Sequence, residues 1–208
     1  MRRLLVAGLC GAAIAGSGCV TTTSFSSPVA LNPGEFGWTL GGTSYVGAEG
    51  PAMPVFGLRV GVFPHLDVGA FQEALTTRVD ARYQVLSTQL GMPLDLDLEL
   101  GTGLLFDIFP FTYAGVGIGR ELEAFIPYVR YRHAALQFSQ KKQDEAADES
   151  GTDFVGDFLL DIWWAQLTVG AELKISPYLK IIPEYSFILG IEHKDEGTFS
   201  SISVAIRF

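Results

Sequence analysis

The residues of this chain best suited to chemistry are a run of carboxylates, three histidines, two cysteines and a glycine-rich pentapeptide. Asp95, Asp97 and Glu99 alternate with Leu94, Leu96, Leu98 and Leu100 in PLDLDLELGTGLLFD, residues 93–107. At that spacing the carboxylates share one face of an extended strand and the leucines the other. Such a strand separates two media. If the acidic side is closed to water, its charges need basic partners. GVGIG (115–119) invites a phosphate-loop reading, but the G-x-G-x-x-G spacing is missing and no helical pattern follows. It reads as glycine on a crowded face. Neither G-x-S-x-G nor H-E-x-x-H occurs. His65 and His193 fall in turn segments and read as solvated. His133 falls on an apolar lane with Phe125, Val129 and Tyr131, where a polar ring needs a reason. The acidic stretch 141–157 lacks EF-hand spacing and reads as a solvated loop, suited at most to weak divalent-cation binding. The pattern calls for no cofactor and no dedicated metal site.

The N-terminus carries a targeting pattern. Arg2 and Arg3 precede the apolar run LLVAGLCGAAIA (4–15), the length of an export signal. Ala13-Ile14-Ala15 fits small-residue cleavage, whereas Gly16-Ser17-Gly18-Cys19 resembles a bacterial lipobox. That resemblance implies lipidation at Cys19, although Gly16 replaces the usual aliphatic residue. Val20 in place of aspartate implies the outer membrane as destination. The expected organisation is a signal peptide at 1–18, a flexible Thr/Ser/Pro-rich linker at 19–35 and one domain at 36–208. Cys10 leaves with the signal, so no internal disulfide can form. The formal charge of −9 becomes −11 once Arg2 and Arg3 are removed. Such acidity excludes nucleic acid as a partner, since phosphate binding relies on clustered Lys and Arg.

From Phe36 onward the hydrophobic period is two, and no convincing helical stretch appears. Ten strands are predicted, at about 36–46, 54–63, 66–72, 76–86, 94–106, 111–120, 125–138, 160–175, 178–191 and 199–208. The fold class is all-β: a closed antiparallel up-and-down barrel of ten strands, with eight as the alternative. One face collects Arg59, Arg78, Arg82, Arg130, Arg132, Lys174, Lys180 and Arg207 with Asp67, Asp80, Asp95, Asp97, Glu99, Glu172 and Glu184. That near balance suits an enclosed lumen of ion pairs, with Arg78 and Arg82 expected beside the acids of 95–99. Pro183 interrupts the ninth strand and predicts a bulge there.

Aromatics gather near predicted strand ends: Trp38, Phe63, Phe106, Phe109, Phe111, Trp163, Trp164, Tyr178 and Phe208. The chain ends in SSISVAIRF, an alternating strand closed by Phe208. In these features residues 36–208 resemble bacterial outer-membrane β-barrels. The resemblance implies that the leucines of 94–100 face lipid and that Phe208 serves as the insertion signal. The implied partners are outer-membrane lipids and the barrel-insertion machinery, and the implied state is a monomer. It also implies a periplasmic N-terminus, short periplasmic turns and an extracellular loop at 140–158. The expected role is structural or interactive, without catalysis. A narrow channel, a lipid A-modifying hydrolase and a periplasmic lipid carrier are the alternatives. The hydrolase reading is weak, because lipid A deacylases place a serine two residues after the outward histidine and Ala135 stands there. Under the lipobox reading, Cys19→Ser abolishes incorporation of labelled palmitate and leaves barrel insertion intact. Absence of label from the wild type would place the cleavage after Ala15.

Overall fold

The computed structural model describes residues 23–46, 52–73, 76–105, 109–136, 163–190 and 199–208. The chain forms ten strands: β1 (Phe36–Tyr45), β2 (Met53–Phe63), β3 (Leu66–Glu73), β4 (Thr76–Leu86), β5 (Asp95–Leu105), β6 (Phe109–Gly119), β7 (Phe125–Leu136), β8 (Trp163–Ser176), β9 (Leu179–Gly190) and β10 (Phe199–Arg207). Each pairs antiparallel with its sequence neighbours, and β1 pairs with β10 to close the barrel. The count is ten, as read from the alternation, and not eight. The seam extends past β10: Phe208 and Trp38 exchange both backbone hydrogen bonds, at 3.0 and 3.2 Å. Closure leaves no strand edge unpaired.

Alternation governs which way each side chain points. On β5, Asp95, Asp97 and Glu99 are fully buried while Leu98 and Leu100 are exposed. The buried face is the inside of the barrel. Trp38, Phe56, Val79, Tyr83, Val129, Val169, Ile202 and Val204 are exposed on the outside. The outward wall is therefore apolar and the inward wall charged.

The two ends differ. At one end lie Pro64-His65, residues 87–94 with a single 3-10 turn at Thr88–Leu90, residues 120–124, and Pro177-Tyr178. His65 adopts a left-handed φ of 67°, which tightens its turn. The three register shifts of the sheet also sit at this turn end, at Gly61/Phe63, Gln84/Leu86 and Lys174/Ser176. β1, β3, β5, β7 and β9 finish at the far end.

Three expectations need correction. Pro183 makes no bulge. Pairing between β8 and β9 lapses beside it and resumes in the same register, while Pro183 keeps its place opposite Val204 on β10. The missing N–H costs ladder bonds without displacing the strand. The aromatics do not all ring the outside. Trp38, Phe63, Trp163, Tyr178 and Phe208 are exposed, but Phe111 and Trp164 point inward. They join Leu105, Tyr113, Ala134 and Ile188 in an interior apolar cluster towards the far end, with Phe109 packed against it. Phe106 lies outside the described residues. Finally, the segment expected to be a flexible linker is not free where it is described: Thr23–Ser27 are buried inside the barrel. The signal segment, Cys19, His193 and residues 140–158 lie outside the described residues.

At the turn end, Glu121 receives Lys174 Nζ at 2.7 Å and Gln89 Nε2 at 2.9 Å. Burial raises its pKa, but the bonds from Lys174 and Gln89 and the charges of Lys174 and Lys180 outweigh this and hold it below the usual carboxylate range. A depressed folded-state pKa means stabilisation that is present at neutral pH and lost as pH falls through that lowered value. NMR titration should therefore show Glu121 protonating below an unperturbed glutamate, and Lys174→Met should shift its titration upward.

Candidate functional site: the barrel lumen

The inward charges build two networks along the wall. The first covers β2 to β7. Arg59 pairs with Asp67 at 2.5 Å and with Asp80. Arg82 also reaches Asp67, at 2.5 Å, and lies 3.6 Å from Asp97. Arg130 joins Asp97 and Glu99 at 2.7 Å each, and Arg132 joins Glu99 at 2.8 Å. The second network covers β8 to β10, where Glu172 takes Lys180 at 2.7 Å and Arg207 at 2.9 Å. Every charge in the first network is buried, and charge-assisted bonds of this kind are what make such burial tolerable.

β6 explains how β7 reaches β5. Its inward residues opposite these pairs are Gly115 and Gly117, from the GVGIG motif. A Cβ on Gly117 would stand 2.0 Å from Asp97 Oδ1, and one on Gly115 would stand 3.0 Å from Arg132 Cγ. Glycine is what lets the arginines lie across an intervening strand. The motif is thus a spacer beneath ion pairs.

The structure brings together most of the predicted site residues and reassigns several. The nearest partners of Asp97 and Glu99 are Arg130 and Arg132, not Arg78. Arg78 sits opposite Gly103, 3.8 Å from Glu73, with its guanidinium 4.7 Å from the Phe71 ring centroid. Among the described residues Asp95 binds no arginine. As the first residue of β5 it accepts from Thr88 N at 2.8 Å, Glu121 N at 2.9 Å and Gln84 Nε2 at 3.0 Å, and so ties two turns together. Glu184 takes neutral donors, among them Tyr128 Oη at 2.5 Å. Lys174 belongs to the turn at Glu121 instead of the lumen network. His133 is outward and half-buried, stacked on Trp163 at 5.3 Å between centroids, beside a shallow exterior cavity of about 610 Å³. Among the described residues, no three His, Cys, Asp or Glu converge as a metal site.

Sequence reasoning missed the occupant of the lumen. Residues 23–31 run along the inside between the two networks. Thr23 lies towards the far end: its Oγ donates to Glu73, where β3 finishes, and its carbonyl accepts from Arg78 and Arg132, at 2.8 Å each. Arg207 donates to the Phe25 carbonyl, Arg130 to Ser26 at 3.2 Å, and Arg82 to Ser27 and, at 3.1 Å, to Val29. On the donor side, Ser24 N gives to Glu184 at 2.8 Å, Ala30 N to Gln84 at 3.1 Å and Leu31 N to Asp67 at 3.1 Å. The segment then turns at Gly34 (φ 83°) and bonds both ways with Gly61 before entering β1. Phe25 packs among Val55, Tyr128, Ile182 and Ala205. The described chain thus starts inside the far half of the barrel and reaches the turn end only at Asn32–Glu35, whereas the expected periplasmic N-terminus implied an approach to β1 from outside the short-turn end.

No family model matches the chain, and no curated protein matches it. Among solved structures it is similar to the NanC porin, at 8% identity over 82% of this chain and 98% of that one, with a TM-score of 0.49. It is also similar to the N-terminal β-barrel domain of Pseudomonas aeruginosa OprF, at 8% identity over 86% of this chain and 100% of that one, TM-score 0.39. The corresponding values for Ail of Yersinia pestis are 12%, 83%, 95% and 0.30. The assignment of the fold rests on the strand pairing itself.

The networks predict unequal sensitivity to loss of an acid. Among the described residues Glu99 is the only carboxylate that Arg132 contacts, whereas loss of Asp97 leaves Arg130 with Glu99 and Arg82 with Asp67. Glu99→Leu should cost about 3–5 kcal/mol in urea unfolding of vesicle-embedded protein, and Asp97→Leu distinctly less. Equal costs would mean that the arginines re-pair freely.

Proposed function

We propose that this chain is a β-barrel of the bacterial outer membrane, closed along its axis by its own N-terminal segment, with a structural or interaction role and no catalysis. The observation that carries the reading is the inversion of polarity. Leu98, Leu100, Val129, Val169, Ile202 and Val204 are exposed, while the side chains of Arg59, Arg82, Arg130, Asp67, Asp97 and Glu99 are buried. A barrel in water would place these groups the other way round. In a bilayer, lipid tails cover the outer face, and only a closed barrel satisfies every strand internally. Strands of 8 to 14 residues match the span of a tilted membrane strand.

Phe208 supports the terminal-strand reading, since it is exposed on the outer face and closes the seam with Trp38. The short turns at one end support reading it as the periplasmic end, with the longest connection, 137–162, outside the cell. The absence of a catalytic role is supported by Ala135, which stands where a nucleophile would follow His133.

Intact protein should migrate faster in SDS gels before heating than after, as closed barrels do. An epitope inserted after Asp148 should bind antibody on intact cells. If binding requires a broken outer membrane, the orientation is reversed. If the protein stays in the aqueous phase on detergent partition, the membrane reading is wrong.

A further inference from the structure

We propose that the lumen is a binding site for extended polypeptide main chain, and that residues 23–31 are its resident, displaceable ligand and the gate of a conduit. The inference rests on the membrane-barrel reading and adds a ligand class to it.

The pairing geometry comes first. The wall ion pairs join strands one or two apart around the ring: Arg59 of β2 to Asp80 of β4, Arg130 of β7 to Asp97 of β5, Arg207 of β10 to Glu172 of β8. Charges paired in this way hug the wall and leave the axis open. Eight strands enclose a space that side chains just fill, and ten enclose more. Residues 23–31 take up that surplus. They contact Asp67, Arg82 and Gln84 on one side and Glu172, Glu184 and Arg207 on the other.

The contacts are chiefly to main chain. Arginines hold the carbonyls of Thr23, Phe25, Ser26, Ser27 and Val29, and acidic or amide side chains accept the N–H groups of Ser24, Ala30 and Leu31. Recognition of this kind suits any extended segment of small polar residues. One side chain provides selectivity. Phe25 is fully buried in its own pocket, in a left-handed conformation (φ 39°) that an aromatic residue adopts only when held there.

The site survives without its ligand. Arg82 keeps Asp67, Arg130 keeps Asp97 and Glu99, Arg132 keeps Glu99, and Arg207 keeps Glu172. The segment's departure frees arginine N–H groups that had held carbonyls and about as many carboxylate and amide oxygens that had held its N–H and O–H groups, and water can serve both. The entry point is equally defined. A Cβ on Gly61 would stand 2.0 Å from the Asn32 carbonyl oxygen, so a side chain there pushes the base of the segment aside.

The test uses full-length protein in planar phosphatidylcholine bilayers, with wild type, Phe25→Asp and Gly61→Val compared. Flotation with vesicles and heat-modifiable migration are checked for each. Wild type should hold a closed baseline, and both variants should open in discrete steps. A synthetic peptide of residues 23–32 should restore the closed baseline to the open variants, and the same peptide with Asp for Phe25 should not. Wild type that fails to float with vesicles would refute the membrane reading on which the proposal rests. Inserted variants that stay as silent as wild type, or a wild type already as open as they are, would overturn the gate. Openings that both peptides block equally would overturn the Phe25 pocket as the selective contact.

Discussion

The structure depends on one constraint: a closed barrel has nowhere to send a buried charge. Arg59, Arg82 and Arg130 are inside and shielded, so each must meet an acid inside. Three carboxylates serve two arginines each in the first network: Asp67 for Arg59 and Arg82, Asp97 for Arg82 and Arg130, and Glu99 for Arg130 and Arg132. Sharing of this kind lets a few acids neutralise a crowded wall. It also links strands that do not pair directly, such as β5 with β7, so the side chains brace the ladder across β6. The glycines of β6 are a consequence of that bracing, since any larger residue would occupy the path of the guanidinium groups.

A second consequence concerns the axis. Pairs that lie along the wall cannot fill the middle of a ten-stranded ring. Leftover donors on the arginines then face an empty core, and an extended chain supplies the acceptors they need. The N-terminal segment and the wall answer each other's unsatisfied groups. This explains why Thr23, Ser24, Ser26 and Ser27, all small and polar, are as buried as any core residue. It also explains why Glu184, with no arginine in contact among the described residues, sits between Ser24 and Tyr128.

The interior is layered along its length. Asp95 and Gln84 knit the turn end, the ion pairs occupy the middle, and Phe111, Tyr113 and Trp164 form an apolar cluster nearer the far end. Tyr113 joins the last two layers, since its hydroxyl bonds Asp80 at 3.1 Å while its ring packs with Phe111. An inward aromatic therefore serves packing on one side and charge on the other.

Period-two alternation in the sequence was enough to read the strands and the face of their charged residues, while closure of the barrel decided for ten strands over eight. Parity is a local property of extended backbone, and the closed lumen followed from it because the charges of each strand share one face, Arg78, Asp80 and Arg82 on β4 and Asp95, Asp97 and Glu99 on β5. Trp164 and Phe111 could have been placed inward by the same parity; their grouping with strand-end aromatics overlooked it. Which arginine meets which acid was not legible. Arg130 and Asp97 are 33 residues apart and meet only because β6 is narrow enough to be crossed. Nor could the fate of residues 23–31 be read locally. Ser, Thr and Pro without periodicity look the same in a solvated spacer as in a buried run of irregular main chain. The difference lies in the partners, and those are assembled from β3, β4 and β7 to β10 only when the barrel closes.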